Sequence, residues 1–248
     1  MATQVFLIGA GPGDPDLITL KAIKALQAAD VVLVDDLVNR ALLSHAPQAR
    51  IIEVGKRGGC KSTPQDFINR LMVRLARQGR VVARLKGGDP FLFGRGGEEM
   101  LALRAAGIAV KVVPGITSGI AAPAAVGIPV THRGATHGVT FITGHTQDGS
   151  GPDWRALAAT GTTLAIYMGM QQLDRIVADL LAGGMSPDTP AAAIQNGTLD
   201  KQRHVACTLR QLSGEVTRHG MSSPAIVVIG EVAAMAHENI AGALQVAA

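Results

Sequence analysis

A chain of 248 residues, 47% of them hydrophobic, is long enough for one large or two modest domains with a substantial core. The formal net charge is +4, yet aromatic residues make up only 3% and no basic helix or aromatic-interleaved patch occurs, which argues against a nucleic-acid partner. The most apolar later stretch, 119–130, carries Pro123, Gly127 and Pro129 and is too short to span a bilayer; with no basic or apolar leader before Val5, and two cysteines (Cys60 and Cys207) far apart, the expectation is a reduced, cytoplasmic protein without a membrane partner.

The first half alternates strands and helices. A strand over 5–9 runs into Gly9-Ala10-Gly11-Pro12-Gly13-Asp14-Pro15-Asp16. A strand followed by Gly-x-Gly invites a dinucleotide site, but that fingerprint needs a small residue where Asp14 stands. Asp14 reads instead as the cap of a helix over 15–28, with Pro15 at its first position, and a capping carboxylate there repels pyrophosphate. The strand 31–34 ends in Asp35-Asp36, roughly where a ribose would be held, which is the one feature favouring a nucleotide. A strand over 50–54 leads to Gly55-Lys56-Arg57. The helix predicted over 64–78 is capped by Thr63, opened by Pro64 and carries Asp66 at the capping-box position, with Phe67, Ile68, Leu71, Met72 and Leu75 on one face.

The most informative run follows the strand 81–85: Arg84-Leu85-Lys86-Gly87-Gly88-Asp89-Pro90-Phe91. Two adjacent glycines bare the backbone to a ligand, beside a carboxylate and two cations. An ordinary strand-to-helix turn would also use such residues, but it is the second glycine loop at a strand's carboxyl end, where ligands of parallel α/β sheets gather. A helix over 96–106 and a strand over 109–113 complete this half, whose apolar strands and crossover helices argue for a parallel sheet covered on both sides.

A break at Val113-Pro114-Gly115-Ile116-Thr117-Ser118-Gly119 leads into an Ala-rich helix and the turn Gly127-Ile128-Pro129-Val130. Strands then recur over 138–143, 162–168, 190–194, 204–207 and 225–230, with a helix over 171–182 and a surface loop over 144–152. The division expected is an α/β lobe over 1–113, a connecting segment over 114–136 and a second α/β lobe over 137–248, with the site between the lobes. Single arginines beside glycine loops (Arg57, Arg84, Arg95, Arg133) suit a small polyanion bearing several carboxylates, or else an ordinary solvated surface. The histidines show no ligand spacing; His132 and His137 lack a Cys or carboxylate nearby, so no metal site is expected.

Taken together, Gly9–Asp14, Val34-Asp35, Val54–Arg57 with Cys60–Gln65, Arg84–Phe93, Val113–Ser118 and Gly127–Arg133 resemble the tetrapyrrole methylase family over almost the whole chain. The resemblance implies a two-lobed α/β fold, each lobe a mixed or parallel sheet flanked by helices, and a homodimer. It implies transfer of methyl groups from S-adenosylmethionine, leaving S-adenosylhomocysteine, to two ring carbons of uroporphyrinogen III. It places the donor against Pro12, Gly87, Gly88, Asp89, Leu92, Thr117, Ser118, Met168, Gly197 and Ala225. Asp35 matches the candidate proton acceptor and Lys56 the candidate proton donor; their plainer roles are a turn cap and a carboxylate anchor. Arg84 falls where an arginine is involved in proton handling, and because a guanidinium stays protonated the reading is substrate binding and electrostatics. Arg57 and Arg133 are expected to bind the acceptor's carboxylates. Rival expectations are a methylase of a later precorrin, a nicotinamide-dependent oxidoreductase and a non-catalytic tetrapyrrole carrier.

Overall fold

The computed structural model describes residues 4–55, 63–145 and 151–236. The chain divides into two compact units, Met1–Ser118 and Gly119–Ala248. The first is built on β1 (Gln4–Gly9), β2 (Val31–Val34), β3 (Arg50–Glu53), β4 (Val82–Lys86) and β5 (Ala109–Val113). Their order is β3-β2-β4-β1-β5, with every neighbouring pair parallel. Helices α1 (Leu20–Gln27), α2 (Gln65–Arg77) and α3 (Gly96–Ala105) lie along the crossovers.

Strand side chains alternate between two cores, because successive residues point to opposite faces. Ile8, Val32, Val34, Ala83 and Leu85 pack with Ala22 and Leu26 of α1. Val5, Leu7, Val31, Leu33 and Val82 pack with Ile68, Leu71 and Met72 of α2 and Leu103 of α3. The same alternation carries Arg84 and Lys86, two and four residues after Val82, onto the face covered by α2 and α3. Each apolar side chain buried there contributes roughly 1.5–3 kcal/mol, and this is the background against which two buried cations have to be tolerated.

Two local expectations are corrected. Residues 15–28 are not one helix: Asp14 caps only a 3-10 turn, Pro15–Leu17, and Thr19 starts α1 afresh by accepting a hydrogen bond from Ala22 N at 3.2 Å. The second helix has no side-chain cap: Pro64, not Thr63, occupies the cap position and the helix begins at Gln65.

In the second unit, α4 (Ser118–Ala124), whose first residue closes the first unit, precedes β6 (Val139–Thr143), α5 (Trp154–Ala158), β7 (Thr163–Tyr167), α6 (Leu173–Ala182), β8 (Pro190–Gln195), β9 (Arg203–Thr208), α7 (Leu212–Arg218) and β10 (Ala225–Ile229). The sheet order is β6-β7-β10-β8-β9, and only β6 and β7 pair in parallel. The last strand inserts antiparallel between β7 and β8. The carboxyl ends of β6, β7 and β8 therefore share one end of the sheet with the start of β10. Ala122, Val126 and Ile128 pack on one face with Ile194 and Val228, and Trp154, Ile176, Leu180, Leu212 and Val216 cover the other. Among the described residues no helix is long and apolar enough to cross a membrane.

Candidate functional site

In the first unit β4, β1 and β5 are neighbours, so the loops leaving their carboxyl ends meet. Gly88 N donates to Gly11 O at 2.7 Å, Gly11 N returns a bond to Gly88 O at 3.2 Å, and Ala10 N donates to Lys86 O at 2.7 Å. The approach is close enough to require glycine: a Cβ on Gly9 would stand 2.5 Å from Gly115 N, and one on Gly115 would stand 2.3 Å from Gly88 O. Asp89 brackets the assembly, with Oδ1 accepting from Phe91 N at 2.8 Å and Oδ2 from Gly115 N at 3.1 Å.

Pro12, Leu92 and Ser118 are half-buried around this knot and Thr117 is buried. Gly88, at φ 65°, turns its Cα toward Ser118, whose Oγ would lie 3.8 Å from a Cβ added there. The set offers carbonyls, hydroxyls and one carboxylate. Asp14 spends its side chain on Asp16 N at 2.9 Å, so the first loop presents an anion where a phosphate cradle presents amides. These groups fit a ligand that is cationic at one point and zwitterionic at another, such as a sulfonium amino acid, better than a dinucleotide.

Beside the Gly-Gly turn lies a cluster of four charges. Arg84 and Lys86 are 2% and 4% exposed, Glu99 of α3 is 0% exposed, and Asp35, at the end of β2, is 32% exposed. Arg84 donates from Nε to Glu99 Oε1 at 3.0 Å and from an Nη to Asp35 Oδ2 at 2.9 Å. Lys86 Nζ stands 3.2 Å from Glu99 Oε1 and 3.6 Å from Asp35 Oδ2. Gln65, at the start of α2, donates a third bond to Glu99 Oε1 at 3.0 Å. Burial pushes the Lys86 ammonium below its ordinary value; Arg84 adds to that, while Glu99 and Asp35 pull it back up. Asp35 is the partly exposed member of the cluster that Arg84 contacts. Asp35 Oδ2 accepts the Arg84 hydrogen bond, whereas Oδ1 accepts none among the described residues. On the loop after β4, Arg95 forks both oxygens of Glu98, at 2.9 and 2.7 Å, and this pairing holds the Glu98 carboxyl below its ordinary range.

The second unit gathers Met168, Gly197 and Ala225 at one sheet end. Met168 follows β7, Ala225 opens β10 opposite Gln195, and Gly197 follows β8 by two residues. Met168 is 50% exposed and sits at φ 54°, and Asn196 and Thr198 flank Gly197 at φ 52° and 70°. Positive φ in non-glycine residues costs of order 1–3 kcal/mol each and concentrates at functional sites. Among the described residues the other two, Phe93 and Arg95, lie in the loop after β4. Arg133 is exposed and lines an open hollow of about 510 Å³ with Thr131, His132, Thr136 and His137. Lys56, Arg57 and Cys60 lie outside the described residues; Cys207 is a free thiol.

Sequence reasoning named Lys86 only as a charge beside the loop and missed Glu99 and Gln65. Glu99 follows Glu98 in a Gly-Gly-Glu-Glu helix start, where acids are ordinary. The signal that separates them is register: only one of two adjacent helix residues can face the sheet, and it faces two cations.

Comparison with known proteins bears on this arrangement. A family model described as tetrapyrrole (corrin/porphyrin) methylases matches residues 4–213. The chain is 59% identical over 232 residues to a uroporphyrinogen-III C-methyltransferase of Pseudomonas aeruginosa, covering 94% of this chain and 95% of that one. A crystal structure of uroporphyrin-III C-methyltransferase from Thermus thermophilus complexed with S-adenosylhomocysteine is 40% identical, with a TM-score of 0.80 over 92% of each chain. A cobalt precorrin-4 methyltransferase structure is 30% identical, with a TM-score of 0.83 over 93% of this chain and 96% of that one.

Proposed function

The chain belongs to the tetrapyrrole methylase family, and from that premise we propose that it transfers methyl groups from S-adenosylmethionine to two ring carbons of uroporphyrinogen III, giving precorrin-1 and then precorrin-2. The observation that carries the reading is a half-exposed carboxylate, Asp35, held through one oxygen by Arg84 at 2.9 Å, at the strand end next to the Gly87-Gly88 turn. The acceptor's identity is supported by the relatives: identity to the uroporphyrin enzyme is 40% against 30% to the precorrin-4 enzyme, although the backbones match equally well.

When bound, S-adenosylmethionine supplies an electrophilic methyl group on a sulfonium. We assign Pro12, Gly87, Gly88, Asp89, Leu92, Thr117 and Ser118 of the first unit, and Met168, Gly197 and Ala225 of the second, to holding it. The acceptor carbon becomes nucleophilic as its pyrrole N–H loses a proton, and Asp35 Oδ1 is the open oxygen to accept it. Arg84 acts on the acceptor through Asp35, supplying fixed positive potential without exchanging a proton. Arg133 anchors an acceptor carboxylate from the rim of its hollow, with Arg57 in the same role and Lys56 as proton donor. The reading includes a homodimer, a cytoplasmic location and no nucleic-acid partner.

The test is an anaerobic incubation with uroporphyrinogen III and methyl-labelled S-adenosylmethionine, counting methyl groups per macrocycle by mass. Two methyl groups are expected. No transfer, with S-adenosylhomocysteine still bound, would move the acceptor to a later precorrin; preference for NAD over S-adenosylhomocysteine would overturn the reading altogether.

A further inference from the structure

Glu99 is the more deeply buried of the cluster's two carboxylates, and its surroundings are lopsided. Oε1 receives three donors: Arg84 Nε at 3.0 Å, Lys86 Nζ at 3.2 Å and Gln65 Nε2 at 3.0 Å. Oε2 is buried with no hydrogen-bond partner. A carboxylate at this depth gives up its hydration, and a buried ion pair returns little net stability compared with apolar residues of the same volume. Packing alone therefore does not account for four charges beneath α3. The cluster sums to zero, with two cations against Glu99 from below and Asp35 from above. Only Asp35 reaches solvent.

We propose that Glu99 is a positioning residue for methyl transfer: from beneath the sheet end it fixes Arg84 and Lys86 so that both cations meet Asp35 through Oδ2, leaving Oδ1 open to the acceptor. Arg84 spans the two carboxylates, giving Nε to one and an Nη to the other, so the orientation of its guanidinium plane is set at the buried end. Lys86 lies between the same two oxygens with a flexible stem and no other partner to orient it. Without the charge on Glu99, two cations share one carboxylate, and each is free to slide toward Oδ1. The burial-lowered Lys86 then also loses the neighbour that most opposes its deprotonation.

The inference rests on the reading of Asp35 as the residue facing the acceptor, so wild-type turnover is measured first; its absence overturns that reading and this inference together. Glu99→Gln keeps size and hydrogen-bonding capacity and removes the charge. Its kcat is expected to fall by roughly 10- to 100-fold, as for a catalytic group displaced by about 1 Å, with KM for S-adenosylmethionine within about twofold of wild type. The basic limb of kcat against pH should move to lower pH, because Lys86 loses its proton sooner. Glu99→Asp, which restores the charge on a shorter stem, should return the limb toward its wild-type position. A structural role alone would lower the melting temperature and leave the limb in place. If Glu99→Gln does not fold, the double variant Glu99→Gln/Lys86→Met keeps one charge of each sign and replaces it in the same assay; there the basic limb should vanish. Wild-type kcat and an unmoved limb, in whichever of the two folds, overturn the inference alone.

Discussion

The two units prepare their sheet ends by different physical means. The first spends charge: Arg84 and Lys86 are drawn under α2 and α3 and balanced by Glu99 and Asp35. The second has no ion pair among the described residues at the corresponding strand ends, and spends backbone strain instead, holding Met168, Asn196 and Thr198 at positive φ around Gly197. Charges and strained backbone both cost stability and both fix atoms in place. The difference is what each can do: a charge cluster holds a proton acceptor, whereas a turned backbone presents carbonyls and amides.

The largest expected effect comes from breaking the charge balance. Arg84→Met removes a cation that Glu99 and Asp35 share and leaves Glu99 buried with Lys86 as its one cation and Gln65 as its one neutral donor among the described residues. Removing one partner of a buried pair costs about 3–5 kcal/mol, read as a lowered midpoint in chemical denaturation. No group of the second unit's strand ends should approach that figure. A loss under about 1 kcal/mol would mean that Glu99 finds another partner and that the balance described above is wrong.

Steric closure gives a smaller effect and a finer comparison. In Gly115→Ala the new Cβ meets backbone, Gly88 O at 2.3 Å and Gly9 Cα at 2.8 Å, which nothing nearby can vacate. In Gly197→Ala it meets Ala122, the side-chain Cβ at 2.4 Å and the backbone Cα at 2.9 Å. Each is expected to cost about 1–3 kcal/mol. Only the second should be partly rescued by a second substitution, Ala122→Gly, giving a favourable coupling in a double-mutant cycle. Equal failure to rescue would mean that the strand end after β8 is as rigid as the glycine knot.

What could be read beforehand follows the same line. The parallel first sheet, its glycine loops and Asp35 were legible because strand-end glycines and apolar strands are local signals. Asp14 was wrongly given a whole helix, since Thr19 five residues on offers a competing cap. Glu99 was illegible because its meaning depends on pairing across 15 and 13 residues with Arg84 and Lys86, which only the register of α3 over β4 sets. Asn196-Gly197 is a dipeptide that favours positive φ, but nothing in the residue types of Met168 and Thr198 signals it.

Alkaline titration sets the two units against each other with the smallest effect. The folded Lys86 has its pKa lowered from 10.5, chiefly by burial. Between that lowered value and 10.5 the unfolded chain binds more protons, so this group makes stability rise with pH and its penalty is gone above 10.5. Cys207, in β9 of the second unit, behaves oppositely: burial raises its thiol from 9.0 to about 11. Its contribution is complete below pH 9.0 and is lost as pH rises through about 11, because the folded state then holds the proton that the unfolded chain releases. Where the two windows overlap, above the lowered Lys86 value and pH 9.0 and up to pH 10.5, the two slopes oppose. Cys207→Val should remove the falling component, so its denaturation midpoint drops less than the wild type's over that range, while Lys86→Met should remove the rising one and drop more. If the two variants show parallel slopes, the opposition does not exist, and the burial of Lys86 is then not the cost that the charge cluster was built to carry.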